Sequence, residues 1–246
     1  MFFRRTLMSL VAGGLLFAAS AQGTANAAAT PTVPFDQCSK ADLRDDPRLG
    51  PAKLPIFGTV ANELDDYRRT GKHPIWQFLG TWWDPSLPPS AQFPGIDGNW
   101  VYPPKDGYYL RPDGTQIRAT TTLVPGQQVD RFGLPRGSFL SPRGTDYAQR
   151  SLPPSNLDDT TNPGGCNYHV YQVLKPFDVY SGPIRPWFDQ PGNGLQYQAV
   201  CVLIPEFAGT NKCDETGGNL RIQYLVDAHY VVEVPVVDRR ILVAGS

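Results

Sequence analysis

Residues 167–184 read NYHVYQVLKPFDVYSGPI. Tyr168, Val170 and Gln172 alternate there with His169, Tyr171 and Val173, the two-residue period of an extended strand. The pattern continues outward on both sides. GYYLRPDGTQI (107–117) reads as two strands around a Pro-Asp-Gly turn, and TTLVPGQQVDRFG (121–133) as another. Further on, LQYQAVCVLIP (195–205), LRIQYLVDA (220–228) and YVVEVPVVDRRILV (230–243) all read as strands. With 25 prolines and 24 glycines among 246 residues, long helices are not expected. The fold class that follows is α+β, mainly β, with short antiparallel strands.

Helical spacing is confined to residues 59–84. Val60, Leu64 and Tyr67 form one apolar set and Trp76, Leu79 and Trp82 a second, predicting two short helices joined near residues 71–74. A Pro/Gly-rich connection, PSLPPSAQFPGIDGN (85–99), marks a boundary. The expected organisation is a leader at 1–27, a helical and looped part at 28–99, a core at 100–200 and a strand-rich extension at 201–246.

The leader MFFRRTLMSLVAGGLLFAASAQGTANA has a basic start, a short apolar run and a small-residue end. That is the pattern of a secretory signal peptide cleaved after Ala27, and it predicts an extracellular protein. Removing the first 27 of 246 residues leaves 219, ample for a sizeable core, and turns the 22 basic residues into 20 against 23 acidic. Neither nucleic acid nor a membrane surface is expected as a partner, because both call for a basic excess.

Cys38, Cys166, Cys201 and Cys213 all follow the leader. An even count in an oxidising compartment favours two disulfides. Cys201 and Cys213 are near enough in sequence to clip one loop, leaving Cys38 to pair with Cys166. Zinc is the rival reading, but no C-x-x-C and no paired histidines accompany these cysteines.

No dinucleotide-binding glycine fingerprint, P-loop, H-E-x-x-H or G-x-S-x-G is present. What stands out is the arginine-rich loop series DRFGLPRGSFLSPRGTDYAQRSLPPSNL (130–157). Guanidinium groups on stiff loops suit phosphate oxygens, and an aromatic beside one suits a planar ring. On the residues alone, solvated surface arginines, or partners for Asp130 and Asp146, are the favoured reading.

The blocks DRFG, GSFLSPRGTDYAQRSLPPSNL and NYHVYQVLKPFDVYSGPIRPWFDQPGNGLQY resemble the TNT-type NAD glycohydrolases, named for the tuberculosis necrotizing toxin. Upstream, DPRLGPAKLP, NELDDYRR and YPPKDGYYL are similar to the N-terminal part of the secreted fungal surface members. The resemblance implies cleavage of the nicotinamide–ribose bond of NAD or NADP, giving nicotinamide and ADP-ribose or its phosphate. It places the family's catalytic glutamine at Gln196 and its active-site arginines at Arg131 and Arg150. Phe132 stands beside the first arginine, and His169 falls where the toxin branch has an important histidine. Phe132, together with Trp187, would pack against nicotinamide or ribose. Each has a plainer reading: His169 as a hydrogen-bonded core residue, Trp187 as a core aromatic.

The substrate is the only small molecule the chemistry requires, so no cofactor is expected. The fungal relatives carry a calcium site near their C-terminus. Here Asp214, Glu215 and Asn219 offer oxygens without the spacing of a known loop, and a solvated acidic turn is the preferred reading, with no metal carried over. A homodimer and an immunity protein stay open as partners. A cyclase or transferase variant and a silent nucleotide-binding module are the alternatives to hydrolysis.

Overall fold

A computed structural model describes residues 37–158, 165–213 and 218–236. The leader at 1–27 therefore lies outside the described residues. The described residues belong to one compact unit.

After two 3-10 turns come helices α1 (Thr59–Glu63) and α2 (Ile75–Trp82), followed by a two-stranded antiparallel ribbon of β1 (Trp83–Asp84) and β2 (Asn99–Trp100). The main sheet follows: β3 (Ala119–Leu123), β4 (Gln128–Phe132), β5 (Phe139–Pro142), β6 (Tyr168–Val173), β7 (Phe177–Pro183) and β8 (Leu195–Gln198). Helix α3 (Ile222–Asp227) and strand β9 (Val231–Val234) complete it. The order across this sheet is β3-β7-β8-β5-β4-β6-β9, with every neighbouring pair antiparallel. The α+β, mainly β expectation holds.

Successive residues of a strand face opposite sides, so the paired strands β4 and β6 divide the core in two. Val129 pairs with Tyr171, and both pack with Val173, Leu140 and the α3 residues Ile222 and Leu225. On the other face Phe132 pairs with Tyr168, and with Val170 they meet Val60, Leu64 and Tyr67 of the α1 region. A third, aromatic cluster of Phe78, Trp83, Phe93, Trp100 and Phe188 packs the α2 region and the ribbon.

Several sequence expectations change. LRIQYLVDA contains a helix, not a strand: Ile222 and Leu225, three apart, are both fully buried, and only helical spacing turns both to the sheet. The two helices appear where expected, but in α2 the buried side chain is Phe78, while Trp76 is exposed. The 107–117 segment makes only isolated bridges, Leu110 to Gln116 within it and Tyr108 to Ile184 outside it, too short for two strands. Residues 121–133 hold two strands, β3 and β4, that pair with other partners and not with each other. Finally, β9 hydrogen-bonds β6, so the boundary expected after residue 200 runs through one sheet.

Both disulfides form as expected, Cys38–Cys166 and Cys201–Cys213. The first ties the N-terminal segment to the chain just before β6, with both sulfurs in the core. The second closes a loop beside the α3 face.

Candidate active site

At the end of β4, Asp130, Arg131 and Phe132 are consecutive and all buried. A strand sends consecutive side chains to opposite faces, so Asp130 and Phe132 share one face and Arg131 leaves on the other. Asp130 meets Arg150, the last residue of a 3-10 turn (Tyr147–Arg150), with Oδ1 2.7 Å from Arg150 Nη1. Arg150 also donates through Nε and Nη2 to the Thr145 carbonyl, at 2.9 and 2.6 Å, and stands over the Phe132 ring. Burial works to lower its pKa, but the charge and hydrogen bond of Asp130 raise it on balance. Arg150 is thus a cation whose charge is already matched.

Arg131 differs. Its Nε donates to the Gly133 carbonyl at 2.8 Å and its Nη1 to that of Phe139 at 2.7 Å. Among the described residues it has no carboxylate within ion-pair distance. Burial pushes its pKa down to about 10, which leaves it charged at neutral pH. The guanidinium lies in a slot formed by Gly133 and Gly137, where a Cβ on either glycine would collide with it. A buried charge without a partner is costly, and this one borders a cavity.

That cavity holds about 400 Å³. Arg131, Phe132, Arg150 and Gln196 all line it. Gln196 sits on β8 opposite Gly182, nearly buried, and its Nε2 donates to the Asp106 main-chain carbonyl at 2.9 Å. The bond fixes the amide at the cavity wall. Asp106 itself lines the cavity, its carboxylate accepting from Gln116 Nε2 at 3.0 Å. Tyr102 lines it too, packed edge-on against Phe188.

The family model described as tuberculosis necrotizing toxin (TNT) matches residues 122–234. The conidial surface nicotinamide adenine dinucleotide glycohydrolase of Aspergillus fumigatus is 44% identical over 182 residues, covering 73% of this chain and 74% of that one. The chain belongs to the TNT family. The solved structure of tuberculosis necrotizing toxin complexed with its immunity factor aligns at 18% identity over 83% of this chain and 96% of that chain, with a TM-score of 0.49.

The matched span holds all six site residues expected in this TNT-family chain, and four of them, Arg131, Phe132, Arg150 and Gln196, line the cavity. The other two lie elsewhere. His169 pairs with Arg131 across the β4–β6 ladder, but its ring binds Glu233 through Nδ1 at 2.7 Å and Asn167 through Nε2 at 3.2 Å. Trp187 donates to the Val101 carbonyl at 2.7 Å and packs on Trp82, within the aromatic cluster. Trp187 thus packs among aromatic side chains, and His169 is a hydrogen-bonded, half-buried residue of β6 whose partner Glu233 is exposed. Phe132 lines the cavity while also contacting Tyr147 and Tyr168 in the core.

Asp214 and Glu215 lie outside the described residues, and Asn219 accepts from Gln198 Nε2 at 2.7 Å. Among the described residues no three His, Cys, Asp or Glu side chains cluster as metal ligands. Sequence reading did not single out Asp106 or Tyr102 as lining residues. Asp106 meets Gln196 from 90 positions away, a separation no local motif spans. YPPKDGYYL, which carries Tyr102 and Asp106, was one of the resembling blocks, and that was the available signal.

Proposed function

We propose that the mature chain is a secreted glycohydrolase that cleaves the nicotinamide–ribose bond of NAD, and of NADP, releasing nicotinamide and ADP-ribose or its 2'-phosphate. One observation carries this reading: Arg131, buried and without a carboxylate partner among the described residues, opens onto the same cavity as a fixed Gln196. The 44% identity to a named NAD glycohydrolase supports it. That relative's conidial surface location, with the signal-like leader, supports export.

The residues then divide the work. Arg131 has charge to spare and takes the pyrophosphate; Arg150, matched by Asp130, adds a hydrogen-bond donor without net charge. Phe132 offers an apolar surface to nicotinamide or ribose. Nicotinamide departs as a neutral molecule from a cationic nitrogen, so no acid need protonate it. The barrier is the oxocarbenium-like ribose, which positioning and electrostatics lower. Gln196 holds a ribose hydroxyl or the attacking water; an amide cannot deprotonate that water, and a short-lived cation does not require it.

Asp106, which lines the cavity and whose main-chain carbonyl accepts from Gln196, gives the cyclase or transferase alternative a specific acidic residue to use. Nicotinamide release from NAD by the purified mature protein tests the main reading, and chromatography of the products separates the two. ADP-ribose as sole partner product supports hydrolysis; cyclic or protein-linked ADP-ribose supports the alternative. Absence of nicotinamide release overturns both.

A further inference from the structure

The hydroxyl of Tyr168 lies 2.6 Å from Glu63 Oε1 and 2.7 Å from Asp130 Oδ2. A phenol has one proton, so it donates to one of these acids and accepts from the other. A carboxylate has no hydrogen to donate. One of the two acids is therefore protonated. Asp130 has the stronger claim to the charge, because its Oδ1 lies 2.7 Å from Arg150 Nη1 and its Oδ2 accepts the Gly144 N–H at 2.9 Å. Glu63 lies 3.5 Å from Arg150 Nη2 and closes the short helix α1, with its side chain in the core.

The charged and titratable groups facing Glu63 are Tyr168 from β6, Asp130 from β4, and Arg150 and Asp146 from the 3-10 turn and its cap. Burial first, then the Asp130 charge, push the Glu63 carboxyl up to about 8, against the pull of Arg150 and the Tyr168 hydrogen bond. Geometry and electrostatics agree on which acid keeps the proton.

We propose that Glu63 is held as a neutral carboxylic acid and is a positioning residue for the cavity. Protonated, it leaves the Asp130–Arg150 pair balanced and Arg150 set against the cavity wall. On ionisation its proton leaves to solvent, Tyr168 keeps one of its two hydrogen bonds, and a negative charge appears behind Arg150. Anionic ligands are then held less tightly. The ligand rests on the glycohydrolase reading; the protonation state does not.

Two measurements test it. Carbon-13 NMR of the full mature chain labelled at glutamate Cδ should show one carboxyl titrating near pH 8 that is missing from Glu63→Gln. An amide there donates to Tyr168 and accepts from Arg150, so this variant mimics the neutral acid. If all glutamates of the wild-type chain titrate in the ordinary carboxylate range, the proposal is overturned, whatever the enzyme does and whether or not the variant folds. The second measurement is KM and kcat for NAD from pH 6 to 9.5. KM should climb by up to about tenfold per pH unit above the midpoint, with kcat little changed. In Glu63→Gln KM should stay flat, with activity near wild type at pH 7. A rise in KM that persists in Glu63→Gln overturns the coupling to the site. Failure to cleave NAD at any pH overturns the functional reading and leaves the NMR result to decide the protonation state.

Discussion

Asp130 and Arg150 face each other at 2.7 Å with both side chains buried, whereas Arg131, next in the chain, has no acidic partner among the described residues. Two arginines of one cavity thus stand in opposite electrostatic situations. Their substitutions should separate.

Arg150→Met strands the Asp130 charge and should cost about 3–5 kcal/mol of stability. Arg131→Met strands no charge; it leaves the Gly133 and Phe139 carbonyls without donors, at about 1–3 kcal/mol for each buried unsatisfied group. Both should lose NAD cleavage. Urea melts check the order of stabilities, and Asp130→Asn with Arg150→Met should regain part of the loss of the single arginine change.

Gly137→Ala places a methyl group where the Arg131 guanidinium now lies. The displaced cation should bind the pyrophosphate poorly, raising KM for NAD about tenfold or more while the circular dichroism spectrum stays native. An unchanged KM would mean that Arg131 has another place to go.

Gln196→Ala should lower kcat on the order of 100-fold, the scale expected when one preorganised polar group is removed from a reacting centre. The Asp106 carbonyl loses a side-chain partner and the backbone pairing of β8 is untouched, so the melting temperature should move little. Near-normal turnover would remove Gln196 from the site.

His169→Ala and Trp187→Phe probe the two residues that the structure places away from the cavity. Neither should change kcat by more than a few-fold. Trp187→Phe should cost stability instead, because it deletes the hydrogen bond to Val101 and contacts with Trp82. A large loss of kcat with His169→Ala would show that the β6 edge reaches the substrate.

Asp158 concerns stability and pH. Burial, with the Asp42 charge adding to it, pushes its carboxyl up to about 8 from 3.8. Between those values the folded chain keeps a proton that the unfolded chain has released. Stability should therefore fall as pH rises through this window, at no more than about 1.4 kcal/mol per pH unit. Asp158→Asn removes the proton and should gain on the wild type steadily from pH 5 to 8, read as urea midpoints at each pH.

The strands were legible because alternation survives in a sequence wherever a strand has two distinct faces, as in residues 168–173. Helix α3 was not, because Leu220, Ile222 and Tyr224 alternate while Ile222 and Leu225 also satisfy a helix. Only the sheet packed above them selects the helical period. Trp76 misled for a related reason: an apolar side chain at helical spacing need not be turned inward, and in α2 the buried position is Phe78.

The amino-acid sequence by itself determined the β-rich class, the two disulfides and the resemblance that singled out Arg131, Phe132, Arg150 and Gln196, since strand period, cysteine parity and local blocks are written along the chain. Tertiary structure alone decided which arginine is charge-matched, that Glu63 and Asp130 share one tyrosine hydroxyl, and that Asp106 meets Gln196. Those relations depend on distance and burial between residues far apart in the chain, and charge state follows from surroundings that no local stretch contains.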